Sequence, residues 1–271
     1  MVPYTLSMDS FSVHQLMNIW FAFTERAPLV MAVGVGLTVA AELVSRRLSG
    51  RAVPVGEMKL SAVAGFSFMA VKVVAGYGLA LPVHVFAYRF RLFEVDLWNP
   101  FTWLGIFLMR DFVSYWAHRI EHTNKWLWAS HSIHHSFETM SPSCATRIPW
   151  MENFYKIPFG LWMPLIGFDF RLVVGIDTVA ALISIAQHTD RFPAKPEGWL
   201  QRVFIVPSHH RVHHGTNEAY LDKNFGAVLC VWDKLFDTFQ PEVEPARFGI
   251  LGRPLNRRRD MILGRFPDLL G

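Results

Sequence analysis

Over 271 residues the chain is 52% hydrophobic and only 18% charged, with a mean hydropathy of +0.24. Soluble domains carry roughly 25% charged residues, so this balance favours a membrane protein over a soluble enzyme. The net charge of +4 comes with no basic stripe interleaved with aromatics, which excludes nucleic acid as a partner, and two cysteines without a CxxC exclude a disulfide framework and fit a reducing compartment.

The first 28 residues carry Asp9, Glu25 and Arg26 and lack a basic start followed by an apolar run, so no cleavable signal is expected. Phe11 to Phe23 reads as an amphipathic helix lying at the interface. The first apolar stretch, Pro28 to Val44, is near the lower length limit for a span. The second, Ser61 to Tyr88, contains Lys72, which is expected to snorkel or to face the protein interior. The third runs from Trp98 to Ala117 and contains Arg110 and Asp111. The fourth, Ile157 to Ala186, is interrupted by Gly167-Phe-Asp-Phe-Arg171. Two crossings need about 40 residues, more than this stretch has. It reads as a hairpin that dips into the bilayer and returns, its polar tip packed against protein.

Arg46, Arg47, Arg51 and Lys59 place the loop after the first stretch in the cytoplasm. Counting forward, every clustered histidine then lands on that face. The chain reads as one domain, residues 1–271. It comprises an interfacial segment (1–27), transmembrane helices (28–117), a histidine-rich cap (118–156 and 188–240), a membrane hairpin (157–187) and a basic tail (241–271). In the tail, Arg253, Arg257, Arg258 and Arg259 are placed to meet solvent, anionic headgroups or a partner. The expected fold class is an all-α integral membrane protein, a transmembrane helical base with a re-entrant hairpin and a cytosolic helical cap holding a histidine-rich di-metal site.

Ten of the 12 histidines fall between His118 and His214. His118 and His122 are spaced i, i+4, which puts both on one helical face. His131, His134 and His135 follow at i, i+3, i+4. His188 stands alone. His210, His213 and His214 repeat the i, i+3, i+4 pattern, with His209 beside them as an uncertain ligand. Packing gives no reason for this array, and adjacent imidazoles would repel if protonated. A metal binds them and keeps them neutral. One metal takes roughly four to six ligands, so nine imidazoles suit two metals sharing a pocket. Imidazole accepts iron, zinc, copper and nickel. An excess of ligands at the mouth of an apolar region points to redox work on lipid, with iron activating O2 and zinc as a possible substitute. Asp111, seven residues before His118, is expected on the same face and able to orient an imidazole. Glu138, Asn153, Asp190, Asp222 and Asn224 are further candidates for that work.

The order HxxxH, HxxHH, isolated His, HxxHH resembles the fatty acid hydroxylase/sterol desaturase superfamily of integral membrane non-haem di-iron enzymes. The surroundings resemble it too: Asp111 to Tyr115 before His118-Arg, Leu127-Trp128 before the first triad, and His134-His135-Ser136 after it. Pro207-Ser-His-His-Arg-Val-His-His-Gly215, Tyr220-Leu-Asp-Lys-Asn-Phe-Gly226 and Trp232-Asp-Lys-Leu-Phe236 resemble its alkylglycerol monooxygenase-like branch. The resemblance covers roughly residues 65–240. It implies a four-helix-like membrane base under a cytosolic cap with two iron ions. It also implies O2-dependent hydroxylation, desaturation or ether cleavage of a lipid, whether fatty acyl, sterol or ether lipid. With no fused cytochrome b5-like segment, electrons are expected from a separate donor such as ferredoxin or cytochrome b5. The location implied is the cell membrane of a bacterium or the endoplasmic reticulum of a eukaryote. Alternatives are a zinc-dependent membrane hydrolase, a carotenoid hydroxylase-type enzyme, and a metal transporter or sensor. The histidine-only motifs lack the carboxylate base a hydrolase needs, and a transporter would carry ligands within its spans.

Overall fold

A computed structural model describes residue 18 and residues 22–97, 99–191 and 198–270. The expected interfacial helix at Phe11 to Phe23 lies almost wholly outside these residues. Among the described residues the chain is helical, with one isolated antiparallel bridge between Phe204 and Leu229. The helices that organise it are α1 (Ala27–Leu48), α2 (Val55–Tyr88), α3 (Pro100–Thr123), α4 (Lys125–His135), α5 (Phe170–Gln187) and α6 (Pro207–His213).

Among the described residues three helices are long and apolar enough to cross a membrane by length and composition: α1, α2 and α5. Leu37, Phe66, Val74 and Phe86 on α1 and α2 are exposed. Water penalises such an outward apolar surface and lipid does not. Helix α2 is interrupted by a π-helical turn, Gly76–Ala80. Lys72 is exposed on α2, with its ammonium 5.4 Å from the Phe68 ring centre; of the two expected positions, it takes the outward one.

Helix α3, read as the third span, falls outside the helices that length and composition alone select, because Arg110, Asp111 and the polar stretch around His118 interrupt its apolar run. The basic tail is not simply solvated. Leu255 and Met261 are buried against Ala64 of α2 and Ile133 of α4, and Arg253 pairs with Asp260 and Asp268 at 3.1 and 2.8 Å. Gly264 sits at φ 57° where any Cβ would strike the Ala129 carbonyl, so glycine lets the tail lie directly on α4.

Residues 157–187 form two unequal arms. The first is broken into the short turns Ile157–Gly160 and Trp162–Ile166, and the second is α5. Gly167 makes the bend at φ 122°, packed against the Phe93 carbonyl. Asp169 then caps α5 by accepting from Arg171 N at 2.8 Å. Ile106 of α3 joins Met163, Phe168, Leu172 and Ile176 in one apolar cluster, and Arg110 of α3 pairs with Asp177 of α5. These contacts fix α5 beside α3.

Arg147 is the largest fully buried side chain. Its guanidinium donates to Ser61 Oγ (3.1 Å), Ser136 Oγ (3.0 Å), the Glu57 carbonyl (3.0 Å) and the Glu57 carboxylate. It thereby joins α2 to the end of α4. Replacing Arg147 with Met strands these acceptors, so unfolding in detergent should show a loss of about 3 kcal/mol. A change within 0.5 kcal/mol would contradict this reading.

Candidate metal centre

A single residue makes the corner between α3 and α4. Asn124 is extended (φ −97°, ψ 118°). Its N–H donates to the Ile120 carbonyl at 2.9 Å, closing α3, and its side chain accepts from Trp126 N (3.0 Å) and Leu127 N (3.2 Å), opening α4. The turn folds the second histidine motif back on the first. The His118 and His131 ring centres are 5.0 Å apart, and those of His122 and His135 are 4.7 Å apart. His188 follows the C-terminus of α5, and α6 carries His210 and His213, with His214 immediately after it.

The nine expected imidazoles fall into two groups. His118, His122, His131, His135 and His213 present ring nitrogens within 4.8 Å of one another, and so do His134, His188, His210 and His214. The division follows helical phase. At about 100° per residue, i and i+4 share a face and i+3 points elsewhere. His131 and His135 therefore join the five-membered group while His134 turns to the other. On α6 the same phase works in reverse: His210 and His214 join the four-membered group and His213 crosses. The groups adjoin, with the His135 and His214 ring centres 4.3 Å apart.

Nitrogen by nitrogen, the arrangement suits metal ions. His118 Nδ1 lies 3.0 Å from the Phe225 carbonyl, His134 Nδ1 3.3 Å from Arg147 O, His188 Nδ1 2.7 Å from Ser184 O, and His213 Nδ1 3.0 Å from Lys223 O. A carbonyl only accepts, so each Nδ1 carries the proton and each Nε2 keeps a lone pair. Several Nε2 atoms converge, His188's among them. His122 and His135 bring theirs to 3.1 Å, His188 and His210 to 3.0 Å, and His210 and His214 to 3.1 Å. Two nitrogens bound at right angles to one ion at about 2.1 Å are separated by about 3 Å. The Nε2 atoms of His118, His131 and His213 are buried with no hydrogen-bond partner. A buried unpaired acceptor costs about 1–3 kcal/mol, which a cation would offset.

Burial, followed by the neighbouring imidazoles, pushes His118, His131, His134, His135, His210, His213 and His214 well below the usual imidazole range. Burial alone brings His188 down to about 4. The rings are thus neutral donors at neutral pH.

The other expected residues separate clearly. Asp222 reaches the site: its Oδ1 is 3.4 Å from His122 Nδ1. Asp111 does not touch an imidazole. Its carboxylate accepts from Val228 N (3.0 Å), Leu229 N (3.1 Å) and Trp232 Nε1 (2.9 Å). It steadies the loop whose Phe225 carbonyl meets His118. Asp190 pairs with Arg46 and Arg51. Asn224 donates to the carbonyls of His209 (3.0 Å) and Gln240 (2.7 Å). Asn153 bonds the Phe68 and Trp150 carbonyls, and the Glu138 N–H donates to Glu57. His209 stands outside both groups, against the Phe239 ring at 5.0 Å.

Sequence reasoning missed Glu152 and Lys156, and weighed Glu121 beside His122 only as a hydrolase base, setting it aside. Both carboxylates are buried and lie 3.5 and 3.6 Å from His131 Nδ1. Lys156 Nζ meets them at 3.1 and 2.5 Å. The available signal was a Glu-to-Lys pair at i, i+4 in a stretch otherwise poor in charge. Also missed was Asp233, fully buried, which accepts from Phe225 N (2.7 Å) and Gly226 N (2.9 Å).

Two outcomes are expected. His188→Ala removes one of four donors from its group and should lower bound metal from two equivalents toward one, by elemental analysis; two full equivalents would refute the grouping. The second concerns acid. The folded chain keeps these histidines neutral below their ordinary value of 6.5, down to about 4 for His188. The unfolded chain therefore binds more protons in that window, and stability falls as pH drops. Metal-free protein should lose thermal stability from about pH 6.5 downward, and a flat profile would contradict neutral burial.

The fatty acid hydroxylase family model matches residues 103–238, half of the chain. The human (Homo sapiens) alkylglycerol monooxygenase is 36% identical over 172 residues, covering 62% of this chain but only 37% of that protein. The ornithine lipid hydroxylase OlsE of Rhizobium tropici is 30% identical over 234 residues, covering 79% of this chain and 67% of the relative. A Delta(7)-sterol 5(6)-desaturase of Gibberella zeae is 23% identical over 153 residues, covering 53% and 46%. No solved structure matches the chain. With the motifs, the paired imidazole groups and these relatives together, the chain belongs to the fatty acid hydroxylase family.

Proposed function

We propose that this chain is a membrane-bound, di-iron, O2-dependent oxidoreductase that hydroxylates or desaturates a lipid. The observation that carries this reading is the adjoining pair of imidazole groups, five and four, in a chain of this family. His118, His122, His131, His135 and His213 would hold one iron, and His134, His188, His210 and His214 the other. Zinc can occupy the same donors in purified protein, since affinity alone does not select iron. Bound iron supplies O2-dependent oxidation of an unactivated C–H bond.

The chain's own residues position and enclose. The carbonyls of Phe225, Arg147, Ser184 and Lys223 fix four rings in orientation. Burial keeps bulk water from the rings. Trp128 borders the five-imidazole group, its ring centre 5.0 Å from His122 and 5.3 Å from His135. The relatives are named for alkylglycerols, ornithine lipids and a sterol, so lipid is the class they share.

Contacts also support the topology. Arg46 and Arg51 belong to the basic α1–α2 end assigned to the cytoplasm, and both pair with Asp190, two residues after His188. These pairs support a metal centre on the same face as that loop. Residues 157–187 start beside Lys156 and end at His188, both at the centre, as a re-entrant hairpin requires. We read the whole as one domain, a multi-pass membrane base under a cytoplasmic cap, served by a separate electron donor.

The deciding experiment compares anaerobically purified protein reconstituted with ferrous iron or with zinc, supplied with membrane lipids, a reductant and O2. Mass spectrometry should find a lipid that gained one oxygen atom or lost two hydrogens, in the iron sample only. Absence of an O2-dependent product from iron-loaded protein would sink the proposal, and turnover by the zinc form without O2 would favour hydrolysis.

A further inference from the structure

We propose that Glu121, Glu152 and Asp222 make the two metal positions unequal, so that the five-imidazole group holds its metal more tightly than ligand number alone would give. This rests on the di-metal reading above. His131 is the histidine, among the described residues, with both ring nitrogens buried and lacking a hydrogen-bond partner. Its Nε2 belongs with the five-membered group. Its Nδ1 faces Glu121 Oε2 at 3.5 Å and Glu152 Oε1 at 3.6 Å. No carbonyl competes for that proton, in contrast to His118, His134, His188 and His213.

Lys156 makes the arrangement possible. Its ammonium lies between the two carboxylates, 3.1 Å from Glu121 and 2.5 Å from Glu152. It keeps the pair from repelling and fills the place a third cation would take. Across the same group, Asp222 approaches His122 Nδ1 at 3.4 Å from a mostly exposed position. Three carboxylates thus stand behind the five imidazoles, offset by one ammonium. Among the described residues, no carboxylate comes within 4.0 Å of a ring nitrogen of His134, His188, His210 or His214. The anchors seen there are neutral carbonyls. A carboxylate accepting from an imidazole makes the ring a better donor and stabilises positive charge beyond it, and losing such a partner typically weakens metal binding about 10- to 100-fold.

The test uses the full chain in detergent and two variants, Glu121→Gln with Glu152→Gln, and Asp222→Asn. Glutamine and asparagine keep shape and one accepting oxygen while removing the charge and replacing the other oxygen with an NH2 donor. Anaerobic titration with ferrous iron, repeated with zinc, should give two steps in the parent protein. In each variant the tighter step should weaken about 10- to 100-fold, the weaker step should stay, and one of two Mössbauer doublets should shift. Retention of the weaker step also reports a folded centre. Should the buried double variant fail to fold, Asp222→Asn decides by the same criteria. Two unchanged steps, equal weakening of both, or weakening of the weaker step alone would overturn the inference. A parent protein that binds no metal would instead overturn the di-metal reading itself.

Discussion

Nine imidazoles packed into one pocket can coexist only if they are neutral and if every ring knows which nitrogen keeps its proton. Burial enforces the first condition, because a charged ring would lose its hydration and face other charged rings a few ångströms away. The second depends on backbone carbonyls set at particular places. The Phe225 and Lys223 carbonyls belong to one loop, and that loop is fastened from two sides. Asp111 takes the amides of Val228 and Leu229, and Asp233 takes those of Phe225 and Gly226. Neither aspartate meets a histidine, yet both decide where two histidine protons go.

The helices serve this same requirement. Asn124 sets the angle at which α4 folds back on α3. The bend at Gly167 returns the chain so that α5 ends beside α6, where His188 and His210 meet. Arg46, buried near the end of α1, joins Glu42 on its own helix to Asp190 in the segment after His188. The apolar helices are thus a frame whose ends are tied, by ions and hydrogen bonds, to the segments that carry the donors.

Much of this was legible in advance for a simple reason. Histidine spacing on a helix is a local property, and helical phase converts it directly into direction. The gathering of nine imidazoles and the bend near Gly167 both follow from local pattern, whereas His209, beside them in sequence, was left open. What was not legible depends on contacts distant in sequence. Asp111 shares a face with His118, but its partners lie more than a hundred residues later. Glu152 and Lys156 acquire meaning only once the chain after α4 returns to His131. The tail's arginines dominate its composition and left solvent, headgroups or a partner open, while the two residues that bury it, Leu255 and Met261, are unremarkable in a sequence. At α3, Arg110 and Asp111 stood in an apolar run with no visible partner, because their partners lie in α5 and in the 228–232 loop.

The crossing of His134 and His213 between groups has a consequence for how the protein is made. Each group draws donors from α4 and from the segment 210–214. A nascent chain that has emerged only as far as the hairpin owns five of the nine donors and can complete neither group. The five-membered group then lacks only His213, whereas the four-membered group has only His134 and gathers only once residues 188–214 have followed. The interleaving sets an order in time: neither histidine group is whole until the three long apolar helices have been synthesised.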